Sequence, residues 1–161
     1  MPATISNPRD LLVQLLGDLL YVERRLADDV LQTLIGSVGD EELRGALEHH
    51  REETATHAVR IEAAFRRLDV APTSNRSAAF EGAVAQHSEL SGSFANPRLA
   101  DAFNAASALH TEHYEIAAYA AILAVAEAAG FGEAVADLQG SLDDEHRARE
   151  TLEAAIRRLG G

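Results

Sequence analysis

The chain has no cysteine and no tryptophan, only four prolines, and aromatic side chains make up just 5% of its 161 residues. Without cysteine there is no disulfide scaffold, no thiol catalysis and no zinc or iron–sulfur site built on thiolates. Long apolar runs are missing as well. The apolar stretches are Ala-rich and broken by charges, so no segment is expected to span a membrane. Asp10 and Asp18 interrupt the N-terminal apolar run and no basic region precedes it, so no signal peptide is expected and a cytoplasmic location is. Positive charge is scarce too: 14 basic against 26 acidic side chains give a formal charge of −12. Such a surface repels nucleic acid and anionic membranes, so neither is an expected partner. It suits metal cations, which need carboxylate ligands. With 47% apolar side chains, the length fits one domain, residues 1–161, that can bury a real core.

What is abundant is the stock of helices: Ala, Leu, Glu and Arg, with few β-branched residues. Asn7-Pro8 reads as an N-cap followed by proline at the first helical position, and the helix it opens should run over about 8–35, ending at Gly36 and Gly39. Asp40 can cap a second helix, about 40–68, closed by Asp69-Val-Ala-Pro72. Asn96-Pro97 repeats the start signature for a third, about 97–129, and Gly130-Phe-Gly132 turns into a fourth, about 132–159. Between the two pairs lies a long connection with its own weak helical piece, about 77–90. Short loops within each pair imply antiparallel hairpins. The short–long–short pattern predicts an all-α fold, a ferritin-like four-helix bundle in which two hairpins are joined by a long crossover containing a short helix.

Residues spaced alternately four and three apart mark the face each helix turns inward. In the first helix this stripe reads Leu12, Leu16, Leu19, Glu23, Leu26, Val30. In the second it reads Leu43, Leu47, His50, Glu53 or Thr54, His57, Ile61, Ala64, Leu68. The third gives Ala102, Ala105, Leu109, Glu112, Ile116, Tyr119, Leu123, with Glu115 beside it, and the fourth Leu138, Leu142, Glu145, Arg149, Leu152, Ile156, Leu159. All four stripes are apolar at both ends and polar in the middle.

The polar positions also share a height. Glu23 and Glu53 lie about fifteen residues either side of the first turn, and antiparallel packing brings them level. Glu115 and Glu145 flank the second turn at similar distances, while Glu112 falls level with Arg149. Buried ionised carboxylates cost several kcal/mol each and repel one another unless cations compensate them. Two divalent metal ions held by these carboxylates are the natural solution. His57, on the face of Glu53, is a further candidate ligand, and His50 either touches the metal, supports a ligand or is a satisfied core histidine. Tyr119 is read either as core packing or as a hydrogen-bond donor to a ligand carboxylate. His113 and His146 point about 100° away from their glutamate neighbours. His49, His87 and His110 read as surface or packing residues.

Four segments resemble one family. They are Asp18-Leu-Leu-Tyr-Val-Glu23; His50-Arg-Glu-Glu53-Thr54, continuing through Arg60-Ile-Glu to Phe65; Glu112-His-Tyr-Glu-Ile-Ala-Ala-Tyr119; and Leu142-Asp-Asp-Glu145. Together they are similar to the YciE/YciF group, a stress-associated branch of the ferritin-like superfamily. The resemblance implies a bundle that is commonly dimeric, with a rubrerythrin-like two-metal carboxylate site and Glu23, Glu53, Glu112, Glu115 and Glu145 as ligands. Two departures stand out. Where the ferritin-like signature places histidine three residues after a ligand glutamate, this chain has Thr56 and Ala148, with His57 one step late. Where the group tends to carry an acidic residue, it has Arg149, whose guanidinium could neutralise Glu112 by bidentate pairing in place of a metal.

Two functional readings follow. In the first, the carboxylates hold two divalent ions, iron foremost and manganese as the alternative, that handle Fe(II) or peroxide in a stress response. Glu23 and Glu145 would be terminal ligands, Glu53 and Glu115 bridges, and Glu112 the ligand most sensitive to Arg149. In the second, the protein is a non-catalytic helical homodimer whose central carboxylates pair with Arg149, and it acts as a stress-associated binding protein.

Overall fold

The computed structural model describes residues 4–161, and every regular element among them is helical. Four helices start where a side chain satisfies one of the first free amides. Asn7 accepts from the Asp10 amide at 3.0 Å and opens α1, Pro8–Arg25. Asp40 accepts from Leu43 at 2.8 Å and opens α3, Glu41–Arg67. Ser77 caps α4, Ala78–Leu90, and Asn96 caps α5, Pro97–Ala128. Glycine ends α5: Gly130 takes φ +79°, letting the Phe131 amide reach back to Ala126 and the Gly130 amide to Glu127. The same double bond closes α3, with Asp69 in the left-handed region at φ 54°.

Two elements differ from the expectation. The first rod does not stay α-helical. Leu26–Val30 forms one turn of π-helix, and α2, Leu31–Ser37, continues from it. A π turn inserts an extra residue and so rotates everything after it. The inward stripe therefore passes from Leu26 to Leu31 and Leu34, and Val30, expected inside, is only half-buried. At the other end, the helix expected over 132–159 is two pieces, the single turn α6, Gly132–Val135, and α7, Leu138–Leu159.

α1 packs on α3 and α5, and α7 packs on α3 and α5, so the four rods form a square with antiparallel neighbours. One end is clasped by the buried Asp101 carboxylate, which accepts the amides of Gly39 (3.0 Å) and Asp40 (2.8 Å), and by Arg158, bidentate on Asp40 at 2.7 Å. At the other end Arg67 donates to Asp137 at 2.5 Å. The crossover climbs the outside of α1. The Asn75 amide donates to the Gly17 carbonyl at 3.0 Å, Tyr21 and Arg25 both donate to Glu81, and Phe80 plugs into the core. The crossing is tight: a Cβ on Gly17 would overlap Asn75 Nδ2 and lie 2.9 Å from Thr73 Oγ1. Glycine is what allows it.

The core falls into two apolar clusters. One gathers Leu12, Leu16, Leu20, Ile61, Phe65, Ile122 and Leu138. The other gathers Leu26, Leu31, Leu43, Leu47, Ala105, Leu152 and Leu159. Each fully buried Leu, Ile or Phe contributes about 1.5–3 kcal/mol, so these clusters supply the stability that lets the layer between them be polar. Among the described residues no helix is long and apolar enough to cross a membrane.

Candidate metal centre

Between the clusters every rod turns a titratable side chain inward. α1 contributes Glu23, one helical repeat beyond Leu16 and Leu19. α3 contributes His50 and His57, two turns apart, with Thr54 between them. α5 contributes Glu112, Glu115 and Tyr119, and α7 contributes Glu145. Glu23, His57, Glu115, Tyr119 and Glu145 have no solvent exposure at all, Glu112 has 1% and His50 has 4%.

The donor atoms form two groups. His50, Glu112, Glu115 and Glu145 each offer one ligand atom within 4.8 Å of the others, and so do Glu23, His57 and Glu145. Glu145 belongs to both. Its Oε1 lies 2.9 Å from His57 Nδ1 and its Oε2 lies 3.8 Å from His50 Nε2. His57 Nδ1 is also 3.6 Å from Glu23 Oε2, and His50 Nε2 is 3.1 Å from Glu112 Oε1. These contacts have the proximity of ion pairs without the alignment of hydrogen bonds. Both oxygens of Glu115 and of Glu145, one each of Glu23 and Glu112, and the inward nitrogens of both histidines are buried with no hydrogen-bond partner. Native domains carry only a few such groups per hundred residues, and here they gather in one layer. A layer of mixed carboxylate and imidazole donors with unused lone pairs could hold a metal cation.

The electrostatics show the same compression. Burial, reinforced by the charges of Glu145, Glu23 and Glu112, pushes the Glu115 carboxyl well above its ordinary range. Burial also raises Glu23, against the opposing effect of His57, and lifts Glu145 to about 7. For His57, burial disfavours the charge, but Glu145 and Glu23 outweigh it and carry the imidazole up to about 10. His50 is likewise raised well above 6.5, with Glu112 the main carboxylate facing it. Each histidine of the layer thus faces carboxylates that favour its charged form, His57 against Glu145 and Glu23 and His50 against Glu112.

The surrounding groups orient these donors. The Tyr119 hydroxyl donates to Glu23 Oε1, and its ring meets His57 edge-on with centroids 6.0 Å apart. The other nitrogen of His57, Nε2, lies 3.1 Å from Asp144 Oδ2, which also accepts from Arg60 at 3.1 Å. A carboxylate behind a histidine fixes the ring and its tautomer. The sequence reading missed Asp144, although its signal was present: His57 and Arg60 sit three apart on α3, so both reach the same point on α7.

Two residues expected at the centre lie elsewhere. Glu53 is outside both groups and 21% exposed. Its oxygens are 3.3 Å from His49 Nε2 and 3.7 Å from His50 Nδ1. Thr54, fully buried, takes the inward position that Glu53 was expected to hold, and its hydroxyl donates to the His50 carbonyl. Arg149 faces Glu150 (3.2 Å) and Glu153 (3.7 Å) along its own helix and makes no ion pair with Glu112, whose cation is His50 instead. For Glu53, one helical position is 100° of rotation, enough to move the side chain from the layer to its rim. His49, His110 and His113 are exposed, and His87 stacks on Phe103.

A family model described as a domain of unknown function (DUF892) matches residues 7–160. The chain is 29% identical over 137 residues to protein YciF of Escherichia coli strain K12, covering 84% of this chain and 82% of that one. Among solved structures, YcfI from Rhodopseudomonas palustris superposes with a TM-score of 0.91 at 30% identity, over 95% of this chain and 97% of that one. The E. coli stress protein YciF gives 0.88 at 27% identity, over 97% and 99%. A Xanthomonas campestris protein gives 0.76 at 19% identity, over 95% and 93%, a likeness of fold.

Proposed function

The chain belongs to the DUF892 family and has the ferritin-like bundle of its YciF relative, and on that premise we propose that its buried layer binds two divalent metal ions, iron foremost, and uses them on Fe(II) or peroxide under stress. The observation that carries this reading is the set of unpartnered carboxylate oxygens on Glu23, Glu112, Glu115 and Glu145, sealed between two apolar clusters. One ion would be held by Glu23, His57 and Glu145, the other by His50, Glu112, Glu115 and Glu145. Iron bound there would supply one-electron chemistry with oxygen or peroxide; manganese would suit peroxide alone. The protein's own part is to fix the ligands and exclude water. Tyr119 holds Glu23, Asp144 holds His57, and the Leu and Phe clusters on either side keep the layer dry. The stress role extends the description of the E. coli relative to this chain.

Anaerobic Fe(II) titration of chelator-treated protein, followed by oxygen or peroxide, tests the reading. About two ions per chain and oxidant-dependent absorbance changes are expected. Because Glu145 is common to both groups, Glu145→Gln should impair both positions, and Glu23→Gln should spare the one that lacks Glu23. Absence of uptake by the wild type overturns the proposal.

One observation favours a second reading, a metal-free helical binding protein: both imidazoles already stand against carboxylates, His57 at 2.9 Å from Glu145 and His50 at 3.1 Å from Glu112. Under it, Fe(II) leaves the melting temperature unchanged.

A further inference from the structure

A cleft of about 280 Å³ opens between α3 and α7, on the side where Glu53 and His49 lie. Its floor is His50, Leu47 and Leu152, and Ala148 and Thr151 form the α7 wall. His50 is the only floor residue with polar side-chain atoms, and it faces two ways. Its Nε2 points to Glu112 in the buried layer, 3.1 Å away, and its Nδ1, without a hydrogen-bond partner, points to Glu53 at 3.7 Å. Glu53 in turn touches His49, which is 71% exposed. Metal-ligating side chains thus run in unbroken succession from solvent to the buried layer: His49, Glu53, His50, Glu112. Arg147, at the mouth, would repel a cation, but its guanidinium is engaged by Asp144.

We propose that this cleft is the port through which divalent cations reach the buried layer, with His49 and Glu53 forming a transient outer site and His50 passing the ion inward. The inference rests on the metal-binding reading above. A sealed site needs such a path, because ions cannot cross the Leu and Phe clusters that close it above and below. Glu53 suits the role because it is close enough to the surface to meet a hydrated ion and close enough to His50 to release it.

Stopped-flow uptake of Co(II), read from its visible absorption, by the metal-free full-length chain tests the port. Glu53→Gln and His49→Ala remove the outer ligands, and Ala148→Leu fills the cleft without removing a ligand. The expected result is uptake slowed about tenfold or more in Glu53→Gln and Ala148→Leu, with final stoichiometry unchanged. Uptake at the wild-type rate in these variants overturns the port while leaving the metal-binding reading intact. A lower stoichiometry for Glu53→Gln at unchanged rate also overturns it, since Glu53 would then be a resident ligand. Failure of the wild type to take up cobalt overturns both.

Discussion

Replacing His57 by leucine probes the charge balance of the buried layer directly. In the metal-free chain His57 faces Glu145 at 2.9 Å, Glu23 at 3.6 Å and Asp144 at 3.1 Å, with no solvent exposure. An imidazole carried from its ordinary 6.5 to about 10 is favoured in its charged form by on the order of 5 kcal/mol. Leucine fills similar space but strands the carboxylates, and removing one partner of a buried pair costs about 3–5 kcal/mol. For a domain of this size each kcal/mol lowers the melting temperature by about 2–4 °C, so a fall of about 6–20 °C is expected at pH 7 without metal. Thermal and urea unfolding of chelator-treated protein measure it. The control is a double-mutant cycle. With Glu145→Gln already in place, His57→Leu should cost less by at least about 1 kcal/mol, because the nearest stranded charge is gone. A His57→Leu protein within 1 kcal/mol of wild type, or an additive cycle, would refute the charge-compensation argument.

Other perturbations reach different links of the same chain. Gly17→Ala drives a methyl into Asn75 and Thr73, and should destabilise by about 1–3 kcal/mol, with loss of the Asn75–Gly17 amide's exchange protection as its local signature. Arg149→Ala should leave the melting temperature almost unchanged, since its partners Glu150 and Glu153 are surface carboxylates; a loss of several kcal/mol would mean that it compensates the buried glutamates after all. Acidity acts with a definite sign. Glu23, Glu115, Glu145, His50 and His57 all hold protons more tightly in the folded metal-free chain than in the unfolded one, so stability should decline as pH rises above about 5. Glu145 makes its share of that decline by about 7, and the contribution of His57, fully present below 6.5, fades as pH approaches about 10. Asp144 and Glu53, held low by their histidine and arginine neighbours, have made their opposite contribution before that window opens. Metal uptake displaces the same protons, so it should strengthen with pH. Melting curves from pH 5 to 9 with and without Fe(II) read both trends, and a metal-free profile that rises across the window contradicts this account.

The depth of the polar layer was legible because an antiparallel hairpin converts sequence distance from a turn into height. Glu23, Glu115 and Glu145 are level in the structure for the reason that counting from the turns anticipates. Glu112 and Tyr119 follow from the same helix. Rotation was less legible. Glu53 and Thr54 are one residue apart, both compatible with a stripe read at four-and-three spacing, and only the packing of α3 against α1 and α7 turns Thr54 inward. Arg149 sits on the stripe by count, yet a long, flexible side chain can leave the face its Cα occupies, and it does so for Glu150 and Glu153. The π turn at Leu26–Val30 was invisible to a fixed period, since it is a change of period.

By itself, then, the order of the amino acids decided that this chain is helical, where three of its four rods start and stop, that they pair as hairpins, and at what height charge enters the core. Those features depend on caps, turns and spacing, which are local. Which of two adjacent side chains faces the centre, which histidine answers which carboxylate, and that a cleft leads from His49 to His50 were decided only when four rods packed together. They depend on rotations of a fraction of a turn, and those are fixed by contacts between residues far apart in the chain.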